Sequence, residues 1–478
     1  METLRELFEQ WSGRVPTHTE SLKASGSDRK YVRLSSGDIS AIGVEGTSTE
    51  ENRAFISICR HLHAKGLPVP ELYAVSADCT CYLQEDLGDT QLYDFMAECR
   101  KENVYDGDTT ALLHSVMERL ADFQFHGADG MDFSVCYPVE SFNRRSIFWD
   151  LNYFKYYCLK PSGLEFNEDM LENDFERMAG ILLTDEPFST FMYRDFQSRN
   201  IMVCGSSPRF IDFQGGRRGP VEYDLVSFLW QARAAYPDEL KDNLTSTYIK
   251  SLSKYRKVDE TVFRTRLIHF VLFRTMQVLG AYGYRGNFER KQQFLDCMPA
   301  AMANLHGIAC QPVIRDTYPY MADILYRLTG LARYKSPLSS ADDRLTVKIT
   351  SFSYRKGIPE DGSGNGGGFV FDCRSMHNPG LYDRYKALTG LDNEVIEFLD
   401  NQGEIQVYLQ NVYGLTDAAV NKYLSRGFTG LAVNFGCTGG RHRSVRCAEC
   451  LAAHLHGTFG DRIRILVTHR ELNLHRKI

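Results

Sequence analysis

Apolar and polar positions along the chain change period several times, and each change predicts an element. Residues 1–8 place charged and apolar side chains at helical spacing, with none of the continuous apolar run of a secretory leader. Residues 28–34 and 39–44 read as strands around Ser35-Ser36-Gly37-Asp38, which predicts a β-hairpin. Over 50–64, Phe55, Ile58, Cys59 and Leu62 fall on one helical stripe, and Gly66-Leu67-Pro68-Val69-Pro70 ends it. A strand at 81–84 runs into the polar turn Glu85-Asp86-Leu87-Gly88. The period is chiefly helical from about 92 to 190, yields to short strands at 201–203 and 209–211, and is helical again over 221–334. The polar run 334–343, with its Ser and Pro, predicts a linker. Beyond it, strands are expected at 345–353, 369–371 and 430–435 with helical patterns between and after them, an α/β reading. No internal repeat of solenoid length is present.

Composition narrows the class. A chain of 478 residues holds two to four folding units at roughly 100–200 residues each. With 43% hydrophobic and 24% charged residues, a disordered, collagen-like or disulfide-scaffold protein is excluded. The net charge of −6 is unevenly divided. Residues 345–478 carry 16 Lys/Arg against 13 Asp/Glu, a net +3 that leaves −9 for the rest. The last 42 residues hold 8 basic and 3 acidic side chains with five His. A local anion site in the C-terminal part is therefore expected; the charge balance does not establish a general nucleic-acid affinity. Thirteen cysteines, an odd number without repeating spacing, read as reduced thiols. No apolar run approaches the ~18 residues of a spanning helix. A soluble, cytoplasmic protein without a membrane partner is expected.

The first candidate chemistry lies in Tyr193-Arg194-Asp195-Phe196-Gln197-Ser198-Arg199-Asn200, followed by Ile211-Asp212-Phe213-Gln214. Phosphoryl transfer needs a carboxylate beside the attacking hydroxyl and oxygen ligands that hold Mg²⁺ on the phosphates. The spacing D-x4-N-x11-D supplies those three oxygen groups from two adjoining turns. Alone, Asp195-x4-Asn200 reads as a solvated Asx-turn; with Asp212 and the downstream Tyr223-Asp224-Leu225 the chemical reading is favoured. Asp224 by itself is equally a helix N-cap.

These segments resemble the catalytic and metal loops of the kinase-like aminoglycoside/choline phosphotransferase superfamily. Arg194–Asn200, Asp212-Phe213-Gln214 and Gly219-Pro220-Val221-Glu222-Tyr223-Asp224-Leu225-Val226-Ser227 are most similar to its anomeric N-acetylmuramate/N-acetylglucosamine kinases. So are Gly66-Leu67-Pro68-Val69-Pro70 and Gln84-Glu85-Asp86-Leu87-Gly88-Asp89, at that group's inter-lobe hinge. The resemblance implies an α+β bilobal protein-kinase-like domain over 1–335, with a small lobe to about 86 and a large lobe over 87–335. It implies ATP and Mg²⁺ as cofactors and an amino sugar as acceptor, phosphorylated at the anomeric hydroxyl in cell-wall sugar recycling. Asp195 would be general base or orient the hydroxyl, with Arg194 and Asp224 completing the catalytic set, Asp224 by bracing the loop. Asn200 and Asp212 would hold the metal. Ser27, Arg29, Arg33, Gln84 and Asp86 would bind the nucleotide. Two departures stand out: Tyr193 replaces the usual His, and the strand 39–44 lacks the superfamily's phosphate-binding Lys, the nearest cations being Arg29, Lys30 and Arg33. Ser25-Gly26-Ser27 is read as a phosphate-covering turn or an ordinary hairpin entry. A pseudokinase adapter, or a kinase for another small alcohol such as an aminoglycoside, choline or homoserine, is the alternative.

The second candidate is Gly436-Cys437-Thr438-Gly439-Gly440-Arg441-His442-Arg443-Ser444, a glycine turn between a strand and a helix. Such a turn aims backbone N–H groups at one spot where the helix dipole favours an anion; Arg at the helix start opposes the dipole unless an anion compensates. With residues 350–359, Phe371-Asp372-Cys373-Arg374, Asn378-Pro379, Leu388-Thr389-Gly390-Leu391-Asp392 and His469-Arg470-Glu471-Leu472, it resembles the C-terminal domain of the RNase adapter family (RapZ). That resemblance implies a smaller α/β phosphosugar-binding domain over 345–478 after a 336–344 linker. Cys437, Thr438, Gly439, Gly440, Arg441, His442, Arg443, Ser444, Asp372 and Arg374 would form the site, Asp372 with Arg374 being equally a strand-end salt bridge. A small RNA is a further partner in some relatives, and homo-oligomerisation through this domain is a further expectation. The terminal basic cluster is reduced here to Arg476-Lys477, and a Gly-rich run over 362–368 reads as a loop. Cys447-x2-Cys450-x3-His454 has zinc-like residue types but lacks a fourth ligand and reads as buried thiols, and Cys79-x-Cys81 as structural.

Overall fold

Alternating burial builds the first sheet. Strands β1 (His18–Leu22), β2 (Lys30–Ser36), β3 (Ile39–Glu45), β4 (Leu72–Val75) and β5 (Cys81–Glu85) pair antiparallel in the order β1-β2-β3-β5-β4. One face carries Val32, Leu34, Ala41 and Leu83, covered by Leu4, Leu7 and Phe8 of the helix Glu2–Ser12. The other presents Ile42, Val44 and Tyr82 to Phe55 and Ile58 of the helix Thr49–Ala64. Ser48 caps that helix, its hydroxyl accepting the Glu51 N–H at 3.4 Å. The hairpin β2–β3 and the helix lie where periodicity predicts them. β1 and β4 have no such signal: β1 is a polar edge strand, and β4 follows the Pro-rich stop.

The computed structural model describes residues 2–22, 29–105, 107–331, 334, 344–359, 368–426 and 428–477. Ser25-Gly26-Ser27, nearly all of the expected linker and residues 362–367 of the Gly-rich run lie outside the described residues. The chain divides into two compact units, Met1–Lys335 and Ser336–Ile478.

In the first unit, helices follow the sheet. The longest, Glu260–Gly283, buries residues around much of its circumference and packs on Arg144–Phe154, Val221–Leu229 and Met298–Ala309. Both Arg144–Phe154 and Glu260–Gly283 continue into a π-helical turn, Lys155–Leu159 and Tyr284–Phe288. Two short ladders frame the Tyr193–Asn200 segment: β6 (Phe191–Met192) with β9 (Arg217–Arg218), and β7 (Ile201–Cys204) with β8 (Ser207–Phe210).

The second unit has a five-stranded sheet ordered β11-β12-β10-β13-β14, with β10 (Leu345–Ser353), β11 (Gly368–Asp372), β12 (Gly430–Cys437) and β13 (Ile463–His469) parallel and β14 (Leu474–Lys477) antiparallel. Val347, Ile349, Leu431 and Val433 form its core with Cys447, Leu451 and Leu455 of the helix Arg443–Phe459. β13 replaces the helical pattern expected there, because Ile463, Ile465 and Val467 bury at period two. Among the described residues no helix is long and apolar enough to cross a membrane.

Candidate active site

Asp224 organises the first site. It is fully buried in the helix Val221–Leu229, and its carboxylate accepts the backbone N–H groups of Tyr193 at 2.7 Å and Arg194 at 2.8 Å. Burial pushes its pKa up to about 7, while those two N–H bonds pull it down. They hold Arg194 at φ +76°, a left-handed conformation that costs a non-glycine residue energy and persists only when its surroundings impose it. Tyr193 is packed edge-on against Phe123, Phe196 and Phe213, and its hydroxyl donates to the Ile211 carbonyl at 2.5 Å. That bond ties the loop to the next residue, Asp212, itself at φ +69°.

Asn200 donates its amide N–H to the Asp195 carbonyl at 2.8 Å, so its oxygen is the atom left to offer a ligand. Asp212 accepts from the Gln214 amide at 2.8 Å. Burial raises its pKa, and the charges of Asp195 and Glu51 add to the rise. A cation between these oxygens would reverse it.

Asp195, Asn200 and Asp212 line one cavity of about 630 Å³, together with Arg194. Arg29 also lines it: only 5% exposed, its guanidinium lies 3.3 Å from Glu51 of the Thr49–Ala64 helix. A cation thus stands at the small-lobe wall although the strand β3 has no Lys. Arg33, Gln84 and Asp86 are not among the residues lining this cavity. Arg33 instead forms ion pairs with Asp86 and Asp89, both at 2.7 Å, and Ser40 donates to Asp86 as well.

Three functional neighbours carry no sequence signal of their own. Glu51 pairs with Arg29. Asp150, from Arg144–Phe154, lies 3.6 Å from Arg194. Arg274 of Glu260–Gly283 donates to Ser227 at 2.8 Å and reaches the Asp195 carboxylate at 3.4 Å. Each joins elements remote in the chain, so spacing could not reveal it.

The second site lies at the carboxyl ends of the parallel strands, where β10 and β12 adjoin and their connections leave in opposite directions, the crevice position of open α/β sheets. The Cys437 sulfur accepts the Gly440 N–H at 3.2 Å and sits 3.2 Å from the Ser444 hydroxyl. Ser353 donates to the Thr438 carbonyl at 2.7 Å. Gly440 has φ +68°, and a Cβ there would come within 2.7 Å of the Ser353 nitrogen. Thr438, Gly439 and Arg441 are exposed at the turn. Arg443 is buried and donates to the carbonyls of Met376 at 2.8 Å and Arg374 at 3.1 Å, so it anchors the neighbouring turn. Arg374 pairs with Asp372 at 2.6 Å and lies over the Tyr354 ring. His442 faces the Tyr385 carbonyl at 3.0 Å, and burial lowers its pKa. The loop residues and the Asp372–Arg374 pair thus meet at the carboxyl ends of the strands, with Arg441 and Arg374 exposed cations. In the adjoining helix His454 is bound to Asp417 at 2.9 Å, and among the described residues no group of three or more His, Cys, Asp or Glu side chains is placed to hold a metal.

Residues 27–260 match the family model of the phosphotransferase enzyme family, and residues 345–473 match that of the RapZ C-terminal domain. The chain thus carries a protein-kinase-like domain similar to the phosphotransferase enzyme family and an α/β domain similar to the RapZ C-terminal domain, each match covering less than half of the chain. Nucleotide-binding proteins of Geobacillus kaustophilus and Nitrosomonas europaea are relatives. The first is 31% identical over 181 residues, 36% of this chain and 58% of that one; the second 38% over 134 residues, 28% and 43%. The chain spans about half the length of the curated relatives it matches. Among solved structures, a choline/ethanolamine kinase family protein of Mesorhizobium loti is 12% identical with a TM-score of 0.45, and a choline kinase of Cryptosporidium parvum 10% identical with a TM-score of 0.47. Each match covers 68% of this chain and 98% of the other.

Proposed function

We propose that the first domain is an ATP-dependent kinase that phosphorylates an N-acetyl amino sugar, N-acetylmuramate or N-acetylglucosamine, at its anomeric hydroxyl in cell-wall sugar recycling. The observation that carries this reading is the cavity lined by Asp195, Asn200 and Asp212, with the loop bearing Asp195 held by the buried Asp224. Asp195 takes the proton of the acceptor hydroxyl as that oxygen bonds to the γ-phosphorus. The bond from phosphorus to the β–γ bridging oxygen breaks, and ADP leaves with its electron pair. Arg29, held by Glu51, supplies the small-lobe cation for the phosphates. Asp212 and the Asn200 amide oxygen fit Mg²⁺, a hard cation that prefers oxygen ligands and would neutralise charge on the transferred group. The choice of an anomeric sugar rests on the Arg194–Asn200 and Gly219–Ser227 segments.

The second domain, in the same proposal, binds a hexosamine phosphate at the Cys437–Ser444 turn and regulates the kinase or reports precursor levels in the cytoplasm. The test is an ATP-dependent transfer assay on N-acetylmuramate, N-acetylglucosamine, glucosamine and an aminoglycoside, with the product position read by NMR. A sugar 1-phosphate is expected, and Asp195→Asn should lower kcat by ~10²–10⁴-fold without loss of fold, the range for a positioned base. A 6-phosphate, or transfer to the aminoglycoside alone, would overturn the anomeric assignment. Wild-type turnover in Asp195→Asn would remove that residue from the mechanism.

A further inference from the structure

The wall of the cavity behind Asp195 is basic. It is built from residues 226–233, the carboxyl-terminal half of Glu260–Gly283 with its π-helical extension, and residues 293–304. Three arginines on it line the cavity: Arg233, Arg274 and Arg285. The cavity's carboxylates are Asp195, Asp212 and Glu51, none of them on this wall. Arg274 is committed to Asp195 and Ser227. Arg233 donates to the Cys297 sulfur and the Gln293 carbonyl, both neutral acceptors, and the Arg285 guanidinium lies 5.2 Å from the Phe294 ring centroid. Among the described residues neither Arg233 nor Arg285 has a carboxylate within ion-pair distance.

Arg285 owes its place to a specific local distortion. It belongs to the π-helical turn Tyr284–Phe288, a rare geometry that shifts the register of a helix and recurs at functional sites. Tyr284 packs on Tyr153 and Tyr157 while Arg285 lines the cavity. Two cations in the wall of a cavity, with no carboxylate within ion-pair distance among the described residues, repel a cationic acceptor and favour an anionic one, because a guanidinium presents forked donors that match carboxylate or phosphate oxygens.

Resting on the kinase reading, we propose that the acceptor is an anion: an alcohol carrying a carboxylate or phosphate that Arg233 and Arg285 bind while its hydroxyl lies at Asp195. The chemistry of transfer is as written above; the arginines fix which alcohols reach it. This selects against the aminoglycoside and choline type of acceptor, and within the proposed amino sugars it favours the one with a lactyl carboxylate.

The test compares kcat/KM of the full-length chain for N-acetylmuramate (carboxylate), N-acetylglucosamine 6-phosphate (phosphate), N-acetylglucosamine (neutral) and glucosamine (cation). An acidic acceptor should be preferred, and the first two arms tell which anion is read. Arg233→Gln and Arg285→Gln should each raise KM for it by ~10–100-fold, the effect of losing a charged hydrogen bond, and collapse the acidic-over-neutral ratio. Preference for the neutral or cationic sugar, or a ratio that neither variant moves, would overturn the proposal. Calorimetric binding of the same four sugars without ATP separates the two readings. Acid-selective binding lost in Arg285→Gln, with no transfer to any acceptor, would sink the kinase reading alone. Transfer without acid preference would sink the anionic acceptor alone.

Discussion

Asp224 shows how one side chain stores cost for function. Its ordinary pKa near ~3.9 rises to about 7 because burial disfavours the charge that the Tyr193 and Arg194 N–H groups need. Between those two values the folded chain binds a proton that the unfolded chain does not. This carboxyl's contribution to stability therefore declines as pH rises from about 4 to about 7 and is level above. The brace behaves oppositely: below about 7 the proton converts one acceptor oxygen into a donor, and one N–H loses its partner. The transfer rate should thus show an acid limb with a midpoint near 7. Asp224→Asn, which presents an N–H to an N–H, should be slow at every pH and lack that limb. A pH–rate profile with an unaltered limb in the variant would assign the titration to another group. Asp195, Asn200 and Asp212 are legible in sequence because one loop–hairpin–loop carries all three. The ion pairs Arg29–Glu51 and Arg194–Asp150 are not, since each joins separate elements that only tertiary packing brings together.

At the scale of elements, the position of Arg285 depends on how closely two helices approach. A Cβ on Gly283 would sit 2.0 Å from the Tyr157 carbonyl oxygen, so Glu260–Gly283 meets the π-helical turn Lys155–Leu159 backbone to backbone. Replacing glycine by alanine inside a helix ordinarily adds ~0.5–1 kcal/mol. Overpacking a close contact costs ~1–3 kcal/mol, and against backbone, which cannot step aside, the cost should win. Gly283→Ala is expected to destabilise and, by moving the adjacent Tyr284–Phe288 turn, to raise the acceptor KM. Gly180, exposed in the helix Glu168–Leu182 with open space beyond it, should respond to Ala with a gain. Urea denaturation of both variants checks the pair, and a stabilised Gly283→Ala would show that the contact relaxes freely. Periodicity predicted the long helices and the hairpins but not these π turns, which lie beside a backbone contact between two helices that no local sequence pattern reports. β13 escaped for a related reason: a short β-branched run after a long helix looks like the helix's continuation until Gly460, at φ +52°, is seen to end it.

At the scale of the whole molecule, the two units have separate hydrophobic cores, one within residues 345–467 and the others within the first 335. Each should unfold in its own transition, and each ligand should move only its own. At a ligand concentration of ~100 Kd the stabilisation is about 2.7 kcal/mol whichever domain binds it. The shift in Tm scales inversely with unfolding entropy, at about 2.1 cal/mol/K per residue. For the 335-residue unit that gives roughly 4 °C with ATP and Mg²⁺, and for the 143-residue unit roughly 9 °C with glucosamine 6-phosphate. Arg441→Ala, which removes the exposed cation of the turn, should shrink the second shift and leave the unliganded transition in place. Arg443→Ala should lower the unliganded transition itself, because it strips the donors from the Arg374 and Met376 carbonyls. Calorimetric scans of the intact chain with each ligand alone decide the matter. A single transition moved by both ligands would mean that the units are energetically one body, and a hexosamine phosphate that moves only the larger transition would place its site in the kinase cavity rather than at the Cys437–Ser444 turn.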